Sequence, residues 1–206
     1  GLVSIGASEN ALRLVLLSRL ESFHEQYPHV RLRISNHSTP QAIQALKSDI
    51  VDFAAVTTPL DIKSPLEKIP LASYREILIG GRKYKKLAEH TQKLEDIASL
   101  PFISLDENSS TRELYNSFFL EHGLSFAPDM ETATTDQMLP LITHNLGIGF
   151  YPKKMAELAL TKGDVYQIPL EEKLPLRRIY LVTNGSTAKS TAVRKMIKFI
   201  QEYHKI

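Results

Sequence analysis

Hydroxyl-bearing residues gather at four points of this chain, each just ahead of a segment with helical apolar spacing. They are "GASEN" (6–10), "SNHSTP" (35–40), "DENSSTREL" (106–114) and "ETATTDQML" (131–139). Two kinds of chemistry suit such clusters. Ser, Thr, Asn and Asp are the favoured helix N-caps, so each cluster alone needs no more than local backbone bonding. Several helix N-termini brought to one edge would instead present free N–H groups, partial positive charge and extra hydroxyls to a small polar or anionic ligand. Catalysis is not expected. Asp106 and Glu107 fall in one cap region and Glu9 in another, no His has a fixed partner, and Ser-x-x-Lys and His-x-x-Glu-His patterns are absent.

The surrounding elements decide between the two. Residues 2–7 read as a short buried strand, and Ser8 as the cap of a helix carrying Leu12, Leu16, Leu20, Phe23 and Tyr27 until Pro28 stops it. Residues 30–34 alternate as a strand, Ser38 or Thr39 caps a helix with Pro40 in its first turn, and "VDFAAV" (51–56) is a third strand. This β-α-β-α-β rhythm predicts parallel strands in an α/β sheet, whose ligands bind beyond the strand C-termini. The rhythm breaks at an extended stretch, 76–79, ending in Gly80 and Gly81, a pair expected to let the chain pass to another lobe. It resumes with "PFISL", a capping box from Ser110 to Glu113 ahead of inward-facing Leu114, Tyr115, Phe118 and Phe119, and a C-cap at Gly123. A short strand "DMETAT", a helix over 136–145, strand "LGIGFYP", a helix over 155–161 and strand 165–169 follow. "RRIYLV" adds a strand, and a last helix carries Val193, Met196, Ile197, Ile200 and Tyr203 on one stripe.

Composition narrows the class. The formal charge is +2 with Lys and Arg scattered along 206 residues, which is not the concentrated basic patch of a phosphate-binding surface. With no Cys, disulfides, thiolate metal sites and a Cys nucleophile are excluded. No apolar run approaches a membrane span, no metal site is expected, and the abrupt strand-like start "GLVSIGAS" suggests an excised or processed domain.

The order and spacing of several pieces carry a resemblance. "VSIGAS", "FHEQYPHVRLRI", "LKSDIVDFAAVTTPLD", "LEKIPLASYREILIG", "IASLPFISL", "NLGIGFYP" with "IPL", and "RRIYLV" follow one another through the chain. Together it resembles the effector-binding domain of LysR-type transcriptional regulators. Departures are Asp49 where Gly is common after a helix, a first helix without its usual Pro, and Pro140 inside the helix before "NLGIG".

The resemblance implies an α/β chain of two Rossmann-like lobes with a hinge, the type II periplasmic-binding-protein fold. Lobe I is expected at 1–80 plus 171–206 and lobe II at 81–170, with a small effector, carboxylate-bearing, held between them. A winged helix-turn-helix, absent here, would read DNA, in a cytoplasmic homodimer or tetramer whose interface includes the first long helix. No cofactor is implied. The site residues carried over are Ser8, Asn10, Ser38, Thr39, Thr57 and Thr58 on one side. On the other they are Asn108, Ser109, Ser110, Thr111, Thr134, Thr135 and Phe150, the last equally readable as core. His37, adjacent to Ser38, is read as a surface or locally bonded histidine and not as a ligand contact. Arg112 is read as a solvated helix arginine, with bidentate pairing to a ligand carboxylate as the alternative. A transport-type solute-binding protein is the competing functional expectation.

Overall fold

A computed structural model describes residues 1–203, and its chain forms two compact units, 1–73 with 178 onward, and 74–177. The last three residues of the expected lobe I segment lie outside the described residues.

The first unit opens with β1 (Leu2–Ala7), in which Val3 and Ile5 are fully buried. Ser8 then accepts the Ala11 N–H at 3.2 Å and starts α1 (Glu9–Ala11). A π-helical stretch (Leu12–Leu16) leads into α2 (Leu17–Gln26), and the Leu17 N–H reaches back five residues to the Leu12 carbonyl. That wider turn rotates the apolar stripe. The buried positions are Ala11, Val15, Leu16, Leu20 and Phe23, whereas Leu12 is only half-buried. β2 (Arg31–Asn36) pairs parallel with β1 from Leu2↔Arg31 to Ala7↔Asn36. α3 (Thr39–Lys47) has Ser38 as its N-cap, in a capping box with Gln41. Its exit passes through Asp49 at φ 56°, the left-handed geometry that a short polar side chain tolerates. β3 (Phe53–Thr57) is wholly buried and parallel to β1, and β4 (Leu66–Tyr74) runs to the unit boundary.

β4 did not register in the sequence because its apolar residues do not alternate regularly and Pro70 interrupts them. It lies at the edge of its sheet, where a missing N–H breaks no ladder.

The second unit holds β5 (Glu76–Gly81), α4 (Leu94–Ile97), β6 (Ile103–Leu105), α5 (Ser110–Glu121), β7 (Met130–Thr132), α6 (Met138–Thr143), β8 (Gly149–Pro152), α7 (Lys153–Lys162) and β9 (Val165–Ile168). β5 lies antiparallel between β8 and β9, β6 runs parallel to β7, and a bridge at Phe102↔Ile148 joins the two groups. One core gathers Leu78, Phe102, Tyr115, Phe118, Phe119 and Phe150, and another gathers Ile77, Ile79, Ile103, Met138 and Ile142. Pro140 is tolerated because a 3-10 turn (Thr135–Gln137) precedes α6, so its missing N–H falls in the first α-turn, where donors have no helical acceptor. The chain then returns with β10 (Arg177–Asn184), antiparallel to β3, and α8 (Thr191–Glu202). The sheet order in the first unit is β2-β1-β3-β10-β4.

Two local expectations are corrected. The α5 cap is Ser109, whose hydroxyl accepts the Thr111 N–H, and Ser110 is already inside the helix, so the Ser110–Glu113 box does not form. The glycine pair is not a crossover either. Both residues sit inside β5, and the two compact units divide after Ser73 and Arg177. Gly80 and Gly81 are there for close approach. A Cβ on Gly80 would lie 2.9 Å from that of Tyr84, and one on Gly81 would lie 2.7 Å from the Ile142 carbonyl oxygen. Backbone cannot yield as a side chain can. Gly81→Ala is therefore expected to cost about 2–3 kcal/mol in urea denaturation, and a loss below about 0.5 kcal/mol would show that α6 gives way freely.

Candidate functional site

The three parallel strands of the first unit end side by side, and the residues after them are bonded to one another. The Ser8 N–H donates to the Ala55 carbonyl at 3.1 Å, and the His37 N–H to the Ala7 carbonyl at 2.9 Å. The Thr39 hydroxyl donates to the Thr57 carbonyl at 2.9 Å and accepts the Thr57 N–H at 3.3 Å. Thr58 continues the edge, its hydroxyl accepting the Arg178 N–H at 3.0 Å. Ser8, Asn10, Ser38, Thr39, Thr57 and Thr58 are thus brought to one strand edge, with the N-termini of the first helical segment and α3 facing it.

Their availability differs. Thr39 and Thr57 are buried, and the Thr39 hydroxyl is engaged by the Thr57 peptide. Asn10 is buried in the first helical turn, while Ser8 and Ser38 are half-buried and reachable. His37 is bonded locally, its Nε2 lying 2.8 Å from the Ser35 hydroxyl. The edge can offer a polar or anionic guest two helix ends and two hydroxyls on a fixed frame.

The second unit builds an edge of the same kind. β6 and β7 end together, with the Asp106 N–H donating to the Thr132 carbonyl at 3.0 Å. Asn108 is exposed and Ser109 half-buried there, Ser110 and Thr111 are buried in the first turn of α5, and Thr134 and Thr135 follow β7. Phe150 does not join them. It is 2% exposed, pairs with Leu78 across β5 and β8, and packs 5.0 Å from the Tyr115 ring centroid, so it is core.

Arg112 matches neither sequence reading. It is 5% exposed and already spent, donating to the Leu105 carbonyl at 3.1 Å, Glu131 at 2.9 Å and Asn116 at 3.1 Å. It ties α5 to the ends of β6 and β7 and is not a solvated helix arginine.

Sequence reasoning missed a buried network beside this edge. Arg177 is fully buried and donates to Glu76 at 2.6 Å and to the Thr111 hydroxyl at 2.9 Å. Tyr115 donates to the other Glu76 oxygen. Burial opposes the Arg177 charge most strongly, but the Glu76 carboxylate together with Tyr74 and Tyr115 outweighs it and holds the guanidinium above its ordinary pKa. Burial first, then the Glu76 charge, pushes the Tyr115 phenol well above its usual value of 10.0. Tyr115 therefore stays a donor throughout the neutral range. The sequence shows only "YRE" and "RR", and nothing local says which arginine goes inside.

Removing one partner of a buried pair leaves the other charge unmatched. Arg177→Met should cost about 3–5 kcal/mol, and Arg177→Met with Glu76→Leu distinctly less than the sum of the single changes. Additive losses in a urea-denaturation double-mutant cycle would contradict the coupling.

Comparison with known proteins identifies the fold and the family. A family model described as the LysR substrate binding domain matches residues 1–205. A probable RuBisCO transcriptional regulator of Guillardia theta is 23% identical over 93% of this chain and 64% of its own length. The protein named uncharacterized HTH-type transcriptional regulator YeiE, of Escherichia coli K12, is 21% identical over 97% and 67%. The chain spans 58–64% of the length of the first three curated relatives it matches. Among solved structures, the effector-binding domain of QuiR in complex with shikimate superposes with a TM-score of 0.85 at 20% identity, covering 98% of this chain and 96% of that one. The regulatory domain of CcmR from Synechocystis PCC6803, in complex with 2-PG, gives 0.86 at 15% identity with the same coverage. At such identities these likenesses establish the shared fold. With strand order, helix caps and the family match in agreement over nearly its whole length, the chain belongs to the LysR substrate-binding domain family.

Proposed function

We propose that this chain is the sensing part of a LysR-type transcriptional regulator and binds a small polar, carboxylate-bearing metabolite through its helix N-termini. The observation that carries this reading is the convergence of Ser8, Ser38, Thr39 and Thr57 on one strand edge, with helix ends facing outward. Binding would bias the regulator between states of different DNA affinity, because only a ligand with unequal affinity for two states can shift them. DNA itself would be read by a winged helix-turn-helix of the whole regulator, in the cytoplasm. The QuiR and CcmR domains, which hold shikimate and 2-PG, support the small-ligand reading by fold. The family match favours it over a transport protein of related fold. No helix among the described residues is long and apolar enough to cross a membrane.

A thermal-shift screen of small carboxylates against this chain should give at least one saturable hit. Isothermal titration of that hit should show Ser8→Ala binding about tenfold or more weakly, the loss of one hydrogen bond to a charged ligand. Equal affinity would place the ligand elsewhere.

The same regulator would be a homodimer joined through the first unit. Leu17 on α2 is 52% exposed, and Ile34 on the edge strand β2 is 42% exposed. Apolar groups beside an unpaired strand edge invite a second copy. Leu17→Glu should turn a dimer into a monomer in sedimentation velocity at micromolar concentration. A wild-type chain that stays monomeric there would remove this interface.

A further inference from the structure

Beyond the strand edges, the second unit contains a cavity of about 420 Å³, within the size range of small-molecule sites. Beneath its base lies a row across three strands, Leu78, Phe150 and Ile168, each only 1–2% exposed. Leu78 of β5 is opposite Phe150 of β8 on one side and Ile168 of β9 on the other, so the three side chains share one face of the sheet. Leu170 and Leu174, from the segment after β9, add half-buried apolar walls. That segment is held by the Gln92 backbone, whose N–H donates to the Pro169 carbonyl at 2.8 Å and whose carbonyl accepts the Glu171 N–H at 2.9 Å, and by Glu172, whose two carboxylate oxygens accept the Leu94 N–H at 3.0 Å.

Four charged residues line the cavity, and their commitments are unequal. Glu76 is held by Arg177 and Tyr115, and Glu172 by the start of α4. Both carboxylates therefore already have donors. Arg75 and Lys173 are exposed at the rim, and neither has an ion-pair partner among the described residues. Apolar walls beside two uncommitted cations suit an amphipathic anion, with its hydrocarbon part against Leu170 and Leu174, above the covered Leu78, Phe150 and Ile168, and its carboxylate between Arg75 and Lys173.

We infer that the second unit carries its own binding site for a small apolar carboxylate, separate from the strand edges. The site uses none of the hydroxyl clusters, so it stands or falls independently of the proposed sensing site. A polar metabolite would gain little from these walls, and a neutral apolar molecule would leave both cations unmatched.

The test is methyl NMR with 3-phenylpropionate as the probe and 3-phenylpropionamide as its neutral counterpart. Saturable shifts of the Leu78, Ile168, Leu170 and Leu174 methyls are expected with the acid. Binding of the amide should be about tenfold or more weaker, as should binding of the acid to Arg75→Gln/Lys173→Gln. Both substituted side chains are exposed, so the fold is expected to survive, and an unchanged methyl spectrum without ligand verifies it. Ser8→Ala should bind the acid as wild type does, which separates this site from the strand edge. The inference is overturned by the absence of saturable shifts up to roughly 20 mM, well above the millimolar constants expected of so small a ligand. Equal binding of acid and amide, undiminished binding to the double variant, or loss of binding in Ser8→Ala would overturn it as well.

Discussion

A guanidinium cannot be buried alone, and this fact organises the second unit. Arg177 is the last residue of the unit and Glu76 lies near its beginning, so their 2.6 Å pair clasps the entering and leaving strands together. The same arginine bonds the Thr111 hydroxyl in the first turn of α5, and Tyr115, one turn on, donates to Glu76. One buried charge thus joins two strands and a helix. Glu76 gives the arginine its counter-charge, and Thr111 and Tyr115 satisfy polar valences that would otherwise lie open in an apolar core. The Arg177 guanidinium also lies 5.5 Å from the Tyr74 ring centroid, which places the crossover residue in the same cluster.

The polar edges follow a related economy. A hydroxyl beside a strand end can serve the backbone or a guest, and here the roles divide by burial. Thr39 spends its hydroxyl on the Thr57 peptide, and Thr58 accepts from Arg178, so both fix the frame. Ser8 and Ser38 cap helices with part of their surface in solvent and remain reachable. A rigid frame carrying a few accessible donors lowers the ordering cost of binding. Arg112 belongs to the frame of the second unit, since its three hydrogen bonds hold α5 against the ends of β6 and β7.

The cavity above Leu78, Phe150 and Ile168 belongs to the same unit as the buried ion pair, and Glu76 borders both. The apolar row beneath it continues the aromatic core, in which Phe150 lies within 6.4 Å of four other rings. Leu170 and Leu174, from the segment after β9, pack against that core and form the half-buried walls of the cavity.

What the sequence determined by itself is what short-range chemistry controls. Ser8 and Ser38 cap their helices because a side-chain oxygen three residues ahead of a free N–H needs no other partner, and Asp49 takes left-handed backbone for a similarly local reason. Strand alternation and the β-α-β order were legible too, and with them the parallel edge on which the hydroxyls meet. Tertiary structure decided whatever depends on distant partners. The π-helical turn at Leu12–Leu16 moved the buried stripe, and Gly80 and Gly81 proved to be sites of close approach to Tyr84, Ile148 and the end of α6. Arg177 went inside while Arg178 beside it stayed out, because only Arg177 meets a carboxylate about a hundred residues away in sequence. Periodicity shows which face of an element is apolar, but whether a charge on that element can be buried depends on a counter-charge that only the folded chain brings to it.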